Sequence, residues 1–184
     1  MKLDILILTA HPDDAEISIG GTIAKFTDKG YKVGIVDFTQ GELGTRGTKA
    51  TRKKEAEHAS KILKISYRNN LKIPDGKVKF NDKYLNLVIT EIRKTQPKII
   101  FAPYFNDRHP DHIGAGLLAK EAYFFSGLTK IKTKLNGKSQ EPYRPSKLFY
   151  YMMTYEFTPT FINDISKYFE TKMQAILTYK TQFY

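Results

Sequence analysis

The sequence predicts an α/β fold, doubly wound, in which a Rossmann-like, mostly parallel sheet carries helices on both faces. Three observations predict it. Short runs dense in apolar and β-branched residues (KLDILILT at Lys2–Thr9, YKVGIVDFT at Tyr31–Thr39, KIIFAPY at Lys98–Tyr104) have the length and character of strands buried on both faces. Longer segments with apolar residues at helical spacing separate them. The resulting strand–helix alternation implies right-handed crossovers and a parallel sheet.

Each element follows in order. Lys2–Thr9 is the first strand, and Ala15–Lys29 a helix stopped by Gly30. Tyr31–Thr39 is the second strand. Gln40–Lys49 (QGELGTRGTK) holds three glycines and no apolar period, so a long loop is expected there. Its Gly41–Thr48 portion is expected to be mobile over a pocket mouth. Thr51–Ile65 is a helix with Ala56, Ala59, Ile62 and Leu63 facing inward, followed by a short strand, Tyr67–Ile73, and the turn Pro74-Asp75-Gly76. Asp82–Thr95 carries the stripe Leu85, Val88, Ile89 and Ile92. Lys98–Tyr104 is a strand, and Asp111–Phe125 a helix with Pro110 in its first turn, where the missing N–H costs little. Ile131–Pro145 is a polar loop or flap, Lys147–Thr154 a strand and Ile165–Tyr179 the last helix. One domain spans residues 1–184, without internal repeats. The end at Thr181-Gln182-Phe183-Tyr184, directly after a helix, suggests a missing C-terminal segment.

Composition narrows the function classes. Apolar residues make up 41% and charged residues 27%, ordinary for a globular domain. No run nears the roughly 20 apolar residues of a membrane helix, and the N-terminus has no secretory h-region, so a cytoplasmic location without membrane attachment is expected. With no cysteine, disulfides, thiolate nucleophiles and Cys-type metal sites are excluded. The net charge is +11, but its lysines and arginines are scattered, without interleaved stacking aromatics. A solvated basic surface that favours a small acidic ligand is preferred over nucleic-acid binding.

Two segments carry the chemistry. His11-Pro12-Asp13-Asp14 follows the first strand, and His109-Pro110-Asp111-His112 follows the Lys98–Tyr104 strand. Both precede helices, at the carboxyl ends of strands where such sheets bind ligands. Together they hold three of the four histidines. A catalytic zinc site takes three N and O ligands and leaves a position open, and His11, Asp14 and His112 supply that set. Asp13 is placed to act as general base, His109 to protonate a leaving amine or steady an oxyanion, and Asp111 to orient a histidine. Either segment alone reads more simply as a capping pair, since Asp at a helix start is a common N-cap. Two in equivalent positions outweigh that reading. His58 reads as an exposed helical residue. The first βα turn has acids where a G-x-G-x-x-G phosphate loop has glycines, so Asp37 alone is a weak dinucleotide signal.

AHPDDAE at Ala10–Glu16 together with HPDH at His109–His112 resembles the LmbE-like (PIG-L) N-acetylglucosaminyl deacetylases. GELGTRGT at Gly41–Thr48, Arg52 and Glu55 in TRKKE, and FAPYFNDRHPDHIGAG at Phe101–Gly116 resemble more closely the branch of bacillithiol biosynthesis. The resemblance implies zinc on His11, Asp14 and His112, with Asp13 as base, His109 as acid or electrostatic partner and Asp111 as its orienting neighbour. It places Arg52 near the substrate, implies a homo-oligomer, and names N-acetylglucosaminyl malate as substrate. Arg46 in the glycine-rich loop is a candidate for a malate carboxylate, as readily as a solvated loop arginine. Ferrous iron suits the same donors as zinc. The alternative reading is a non-catalytic α/β module binding a nucleotide or another small anion.

Overall fold

The computed structural model describes residues 1–183. Its centre is a five-stranded parallel sheet built from β1 (Ile5–Thr9), β2 (Val33–Asp37), β3 (Tyr67–Asn70), β4 (Ile99–Pro103) and β7 (Lys147–Tyr151), in the order β3-β2-β1-β4-β7. β1 is central, pairing Ile5 with Val33 on one side and with Ile99 on the other.

Alternation along the strands divides the core in two. Leu6 and Leu8 of β1, with Ile100 and Ala102 of β4, face α3 (Asp82–Thr95) and α4 (Pro110–Phe125). Ile5, Ile7 and Phe101 face α1 (Asp14–Asp28), α2 (Lys49–Ile62) and α5 (Phe169–Ile176). The sheet is thus covered on both faces, and strands β1, β2 and β4 had to be apolar at nearly every position. Strand order reverses between β1 and β4, so the loops leaving these two strands face one crevice.

Several element boundaries differ from expectation. α3 spans the expected Asp82–Thr95, capped by the Asn81 side chain at its start. β3 and β7 end three residues early, where pairing with β2 and β4 stops. α2 starts at Lys49, because Thr48 and Thr51 form a reciprocal capping pair. The segment expected as one helix over Ile165–Tyr179 is a 3-10 turn (Ser166–Tyr168), then α5, then a short α6 (Lys180–Phe183). The expected flap Ile131–Pro145 contains a hairpin, β5 (Lys134–Leu135) and β6 (Lys138–Ser139), turned by Asn136-Gly137 at φ +51° and +78°. Asn-Gly is the strongest short-range hairpin signal, and it was there to be read. Among the described residues, no helix is long and apolar enough to cross a membrane.

Candidate active site

The turn after β1 and the start of α1 deliver His11 and Asp14 to the crevice, and the N-cap and first turn of α4, after the β4 loop, deliver His109, Asp111 and His112. The three imidazoles meet there, with ring centroids 4.7 Å (His11–His109), 5.4 Å (His11–His112) and 4.8 Å (His109–His112) apart. His11, Asp14 and His112 can each present a ligand atom within 4.8 Å of the other two.

The local geometry is specific. Asp14 Oδ2 accepts the backbone N–H groups of Ala10 (3.0 Å) and His11 (2.8 Å), which fixes the carboxylate plane. Its oxygens then lie 3.6 Å from His11 Nδ1 and 3.4 Å from His112 Nε2. In a tetrahedral site with bonds of about 2.0–2.1 Å, neighbouring ligand atoms sit about 3.3–3.4 Å apart. A second grouping, His11, His109 and Asp111, is equally compact. There, however, both Asp111 oxygens already accept backbone N–H groups, from Gly76 (2.7 Å) and Val78 (3.1 Å).

Each imidazole of the first set has a carboxylate on its far nitrogen. His112 Nδ1 lies 2.8 Å from Asp107, and His11 Nε2 lies 3.1 Å from Asp75 and 3.4 Å from Asp111. Carboxylates so placed hold the proton on the far nitrogen and turn the other lone pair toward a metal. The sequence reading did not single out Asp75 or Asp107. Asp107 also accepts the N–H groups of His109 and Thr154, tying the β4 loop to the segment after β7.

Charge makes the same point. Asp13, Asp14, Asp75, Asp107 and Asp111 converge here against the single guanidinium of Arg52, although the chain as a whole carries +11. Burial disfavours a charged His11 ring, but hydrogen bonds to Asp111, Asp14 and Asp75 outweigh it and push its pKa up to about 12. Burial also raises Asp14, yet hydrogen bonds from His11 and His112 hold it well below the usual carboxylate range. Two imidazole nitrogens and a carboxylate in so acidic a setting could hold a divalent cation, and these donors fit zinc or ferrous iron.

Asp13 behaves differently from its neighbour. It occupies the N-cap position of α1 at φ +111°, yet its side chain caps nothing, so the simple capping reading fails. A non-glycine residue there holds local strain of about 1–3 kcal/mol. Burial, with Asp14 and Glu16 nearby, pushes its pKa up to about 7 against the opposing charge of Arg52. Arg52 Nη1 lies 3.3 Å from Asp13 Oδ2 and Nη2 donates to the Pro12 carbonyl (2.6 Å), while its Nε is buried without a partner. Arg52 therefore touches the base-like carboxylate directly.

Two expected roles change. The Asp111 carboxylate faces His11 Nε2 at 3.4 Å, while its backbone N–H donates to His109 Nδ1 (3.1 Å), so the acid is placed to orient His11. That bond makes Nδ1 the acceptor and leaves the proton on Nε2 of His109. Burial and the neighbouring His11 and His112 lower the His109 pKa. Arg46 is not brought to the cluster. It is exposed and donates to the Gln182 carbonyl (3.2 Å), whose side chain returns a bond to the Arg46 carbonyl. Nor does loop 40–48 hang free, since its first limb is pinned by Leu43 N–H donating to Asp75 (2.9 Å). Asp37 is held by Arg68 through both oxygens and is not poised for a ribose, and His58 is exposed on α2.

The family model of PIG-L, the GlcNAc-PI de-N-acetylases, matches residues 6–123, a span that includes both histidine segments. The chain belongs to the PIG-L family. Relatives agree. Diacetylchitobiose deacetylase of Thermococcus kodakarensis is 30% identical over 191 residues, covering 97% of this chain and 70% of that protein. A probable N-acetyl-α-D-glucosaminyl L-malate deacetylase of Bacillus anthracis is 26% identical, covering 97% of this chain and 81% of its own length. The crystal structure of the conserved protein TT1542 from Thermus thermophilus superposes with TM-score 0.93 at 38% identity, covering 98% of this chain and 80% of that one. This PIG-L chain thus sits in a deacetylase family acting on GlcNAc-type substrates, with a His/Asp cluster at the sheet's switch point.

Proposed function

We propose that this PIG-L protein is a metal-dependent deacetylase that hydrolyses the acetamide of an N-acetylglucosaminyl conjugate, with zinc held by His11, Asp14 and His112. The observation that carries the reading is the division of labour between adjacent aspartates. Asp14 is anchored by two backbone N–H groups and faces both imidazoles, whereas Asp13 is buried beside them with its pKa near 7. A divalent cation in such a site polarises the amide carbonyl and lowers the pKa of water. Asp13 takes the proton from the attacking water, poised for this because a general base works best near the ambient pH. His109, whose Nδ1 accepts the Asp111 N–H and whose proton therefore sits on Nε2, hydrogen-bonds the developing oxyanion, and the proton taken by Asp13 passes to the leaving amine. The C–N bond breaks, and acetate and a free glucosaminyl amine result. Arg52 keeps Asp13 in its strained position and biases it toward the carboxylate form.

Two substrates follow from the relatives. N-acetylglucosaminyl malate agrees with the basic surface and with the resemblance of the Gly41–Thr48 loop. A diacetylated disaccharide is favoured by the higher identity to the chitobiose deacetylase, and by the engagement of Arg46 with Gln182 instead of the cluster. Acetate release from both compounds by the zinc-loaded protein tests the reading. Turnover of at least one, abolished in Asp13→Asn, is expected. Hydrolysis of neither would refute it.

A further inference from the structure

The turn Pro74–Val78 joins β3 to α3 and lies against the metal-ligand cluster, and one of its side chains makes bonds in two directions. Asp75 Oδ1 is 3.1 Å from His11 Nε2, and Asp75 Oδ2 accepts the Leu43 N–H at 2.9 Å. The turn and loop 40–48 are joined a second time by Glu42. Its Oε1 accepts the Asp75 N–H (3.2 Å) and its Oε2 the Gln40 N–H (3.1 Å). The first limb of the loop is thereby attached to the carboxylate that faces a ligand histidine. From the other side Asp111 holds the turn through the Gly76 and Val78 N–H groups and approaches the same His11 nitrogen at 3.4 Å.

We propose that Asp75 is a positioning residue that couples the glycine-rich loop 40–48 to the orientation and tautomer of His11. The proposal rests on His11 being a metal ligand. For Nδ1 of His11 to present its lone pair to a metal shared with Asp14, the remaining ring proton must sit on Nε2, and a carboxylate at Nε2 stabilises that tautomer. The Leu43 N–H fixes the plane of the same carboxylate. When the loop is in place, Asp75 is held from both sides and His11 is held with it. When the loop moves away, Oδ2 loses its donor, and the Asp75 carboxylate is free to rotate off His11, leaving the ring less firmly held between Asp75 and Asp111. Loop and metal therefore strengthen each other, and such coupling is reciprocal: whatever the loop adds to metal affinity, the metal adds to loop order. A substrate that contacts the loop would in turn tighten the metal site.

The test uses zinc alone as ligand, read by chelator competition and by residue-resolved amide exchange at Leu43. In the wild-type protein, zinc should slow Leu43 exchange by about fivefold or more, the lower end of ordinary coupling energies. Asp75→Asn should lower zinc affinity by about 10–100-fold, as removal of such carboxylate partners does, and zinc should no longer slow Leu43. The sharper variant is Glu42→Ala, which touches neither His11 nor the cation. By loosening the loop it should still weaken zinc about fivefold or more. Unchanged zinc affinity in Glu42→Ala, or Leu43 exchange indifferent to zinc in the wild type, overturns the coupling whatever Asp75→Asn does. A protein that binds zinc and shows the coupling but releases no acetate refutes the proposed function alone. One that binds no zinc refutes both.

Discussion

Gly114→Ala should damage the site from a position that touches none of its ligands. Gly114 lies one turn into α4, where a Cβ would stand 1.9 Å from the Val78 carbonyl oxygen and 2.7 Å from its carbon. These are backbone atoms and have no rotamer by which to retreat. Restoring an ordinary C···O contact of about 3.3–3.6 Å requires the turn to move by about 1.5 Å. That movement breaks the Val78 N–H bond to Asp111 and disturbs the Gly76 bond beside it. Overpacking costs about 1–3 kcal/mol and a hydrogen bond to a charged acceptor about 1.5–3 kcal/mol. Better helix propensity returns about 1 kcal/mol. The net loss is about 1.5–5 kcal/mol, which at about 2–4 °C per kcal/mol for a chain of this size lowers Tm by about 3–20 °C. Because Asp75 and Asp111 both lean on this turn, zinc affinity should fall as well. The assay is a thermal melt of the metal-free protein with a chelator-competition titration. Gly20→Ala serves as comparison, since its added methyl meets the Lys172 side chain, with Cγ at 3.1 Å, and among the nearest atoms no backbone atom nearer than the Ala15 oxygen at 3.9 Å. A Gly114→Ala protein with unchanged Tm and unchanged zinc affinity would refute the account of how the turn supports the cluster.

Other perturbations separate the roles. Asp13→Asn should retain zinc and lose turnover by roughly 10²–10⁴-fold, the usual worth of a general base, while Asp14→Asn should lose zinc affinity first; the reverse pattern would show the two aspartates exchanged. The pH profile should respond to Arg52. Asp13 works as a carboxylate with its pKa raised, so kcat/KM falls as pH drops through that pKa. The Arg52 charge favours the carboxylate, so Arg52→Met should move the acid limb to higher pH by about one to three pH units. Arg52→Lys should largely restore it, and a limb that stays in place in Arg52→Met counts against Asp13 as base. Arg46→Ala should leave KM within about twofold for either substrate, consistent with the small effects of surface substitutions, because its guanidinium is engaged by Gln182; a large rise in KM would return Arg46 to the site.

What was legible in the sequence was local. The two His-Pro-Asp segments could be found because each packs its functional groups within four residues, at a strand end that periodicity alone identifies. α3 was legible to the residue, since its apolar stripe and the Asn81 cap agree. Asp75 was not, because it meets His11 across 64 residues of chain, and its Pro-Asp-Gly setting reads as an ordinary turn. Asp107 stands five residues before His112 and was within reach of a search for acids that brace ligand histidines. Asp111 was legible as an acid that orients a histidine, and the resemblance paired it with His109, but which ring its carboxylate faces depends on the first turn of α4, which directs it across the crevice to His11. The loop containing Arg46 gave no sign of its tie to Gln182, a contact across 136 residues. The last helix broke up because packing against α1 and α2, not propensity, decides where α5 begins. Gly20 and Gly21 of α1 admit the Lys172 and Ile165 side chains there.

The central claim is that the metal sits on His11, Asp14 and His112, not on the overlapping set of His11, His109 and Asp111. Zinc content of His112→Ala and His109→Ala, measured side by side after equilibration with limiting zinc and a competing chelator, tests it most directly. The account predicts that His112→Ala loses its zinc, while His109→Ala keeps close to one zinc per chain and loses turnover. A zinc-replete His112→Ala beside a zinc-free His109→Ala would contradict it.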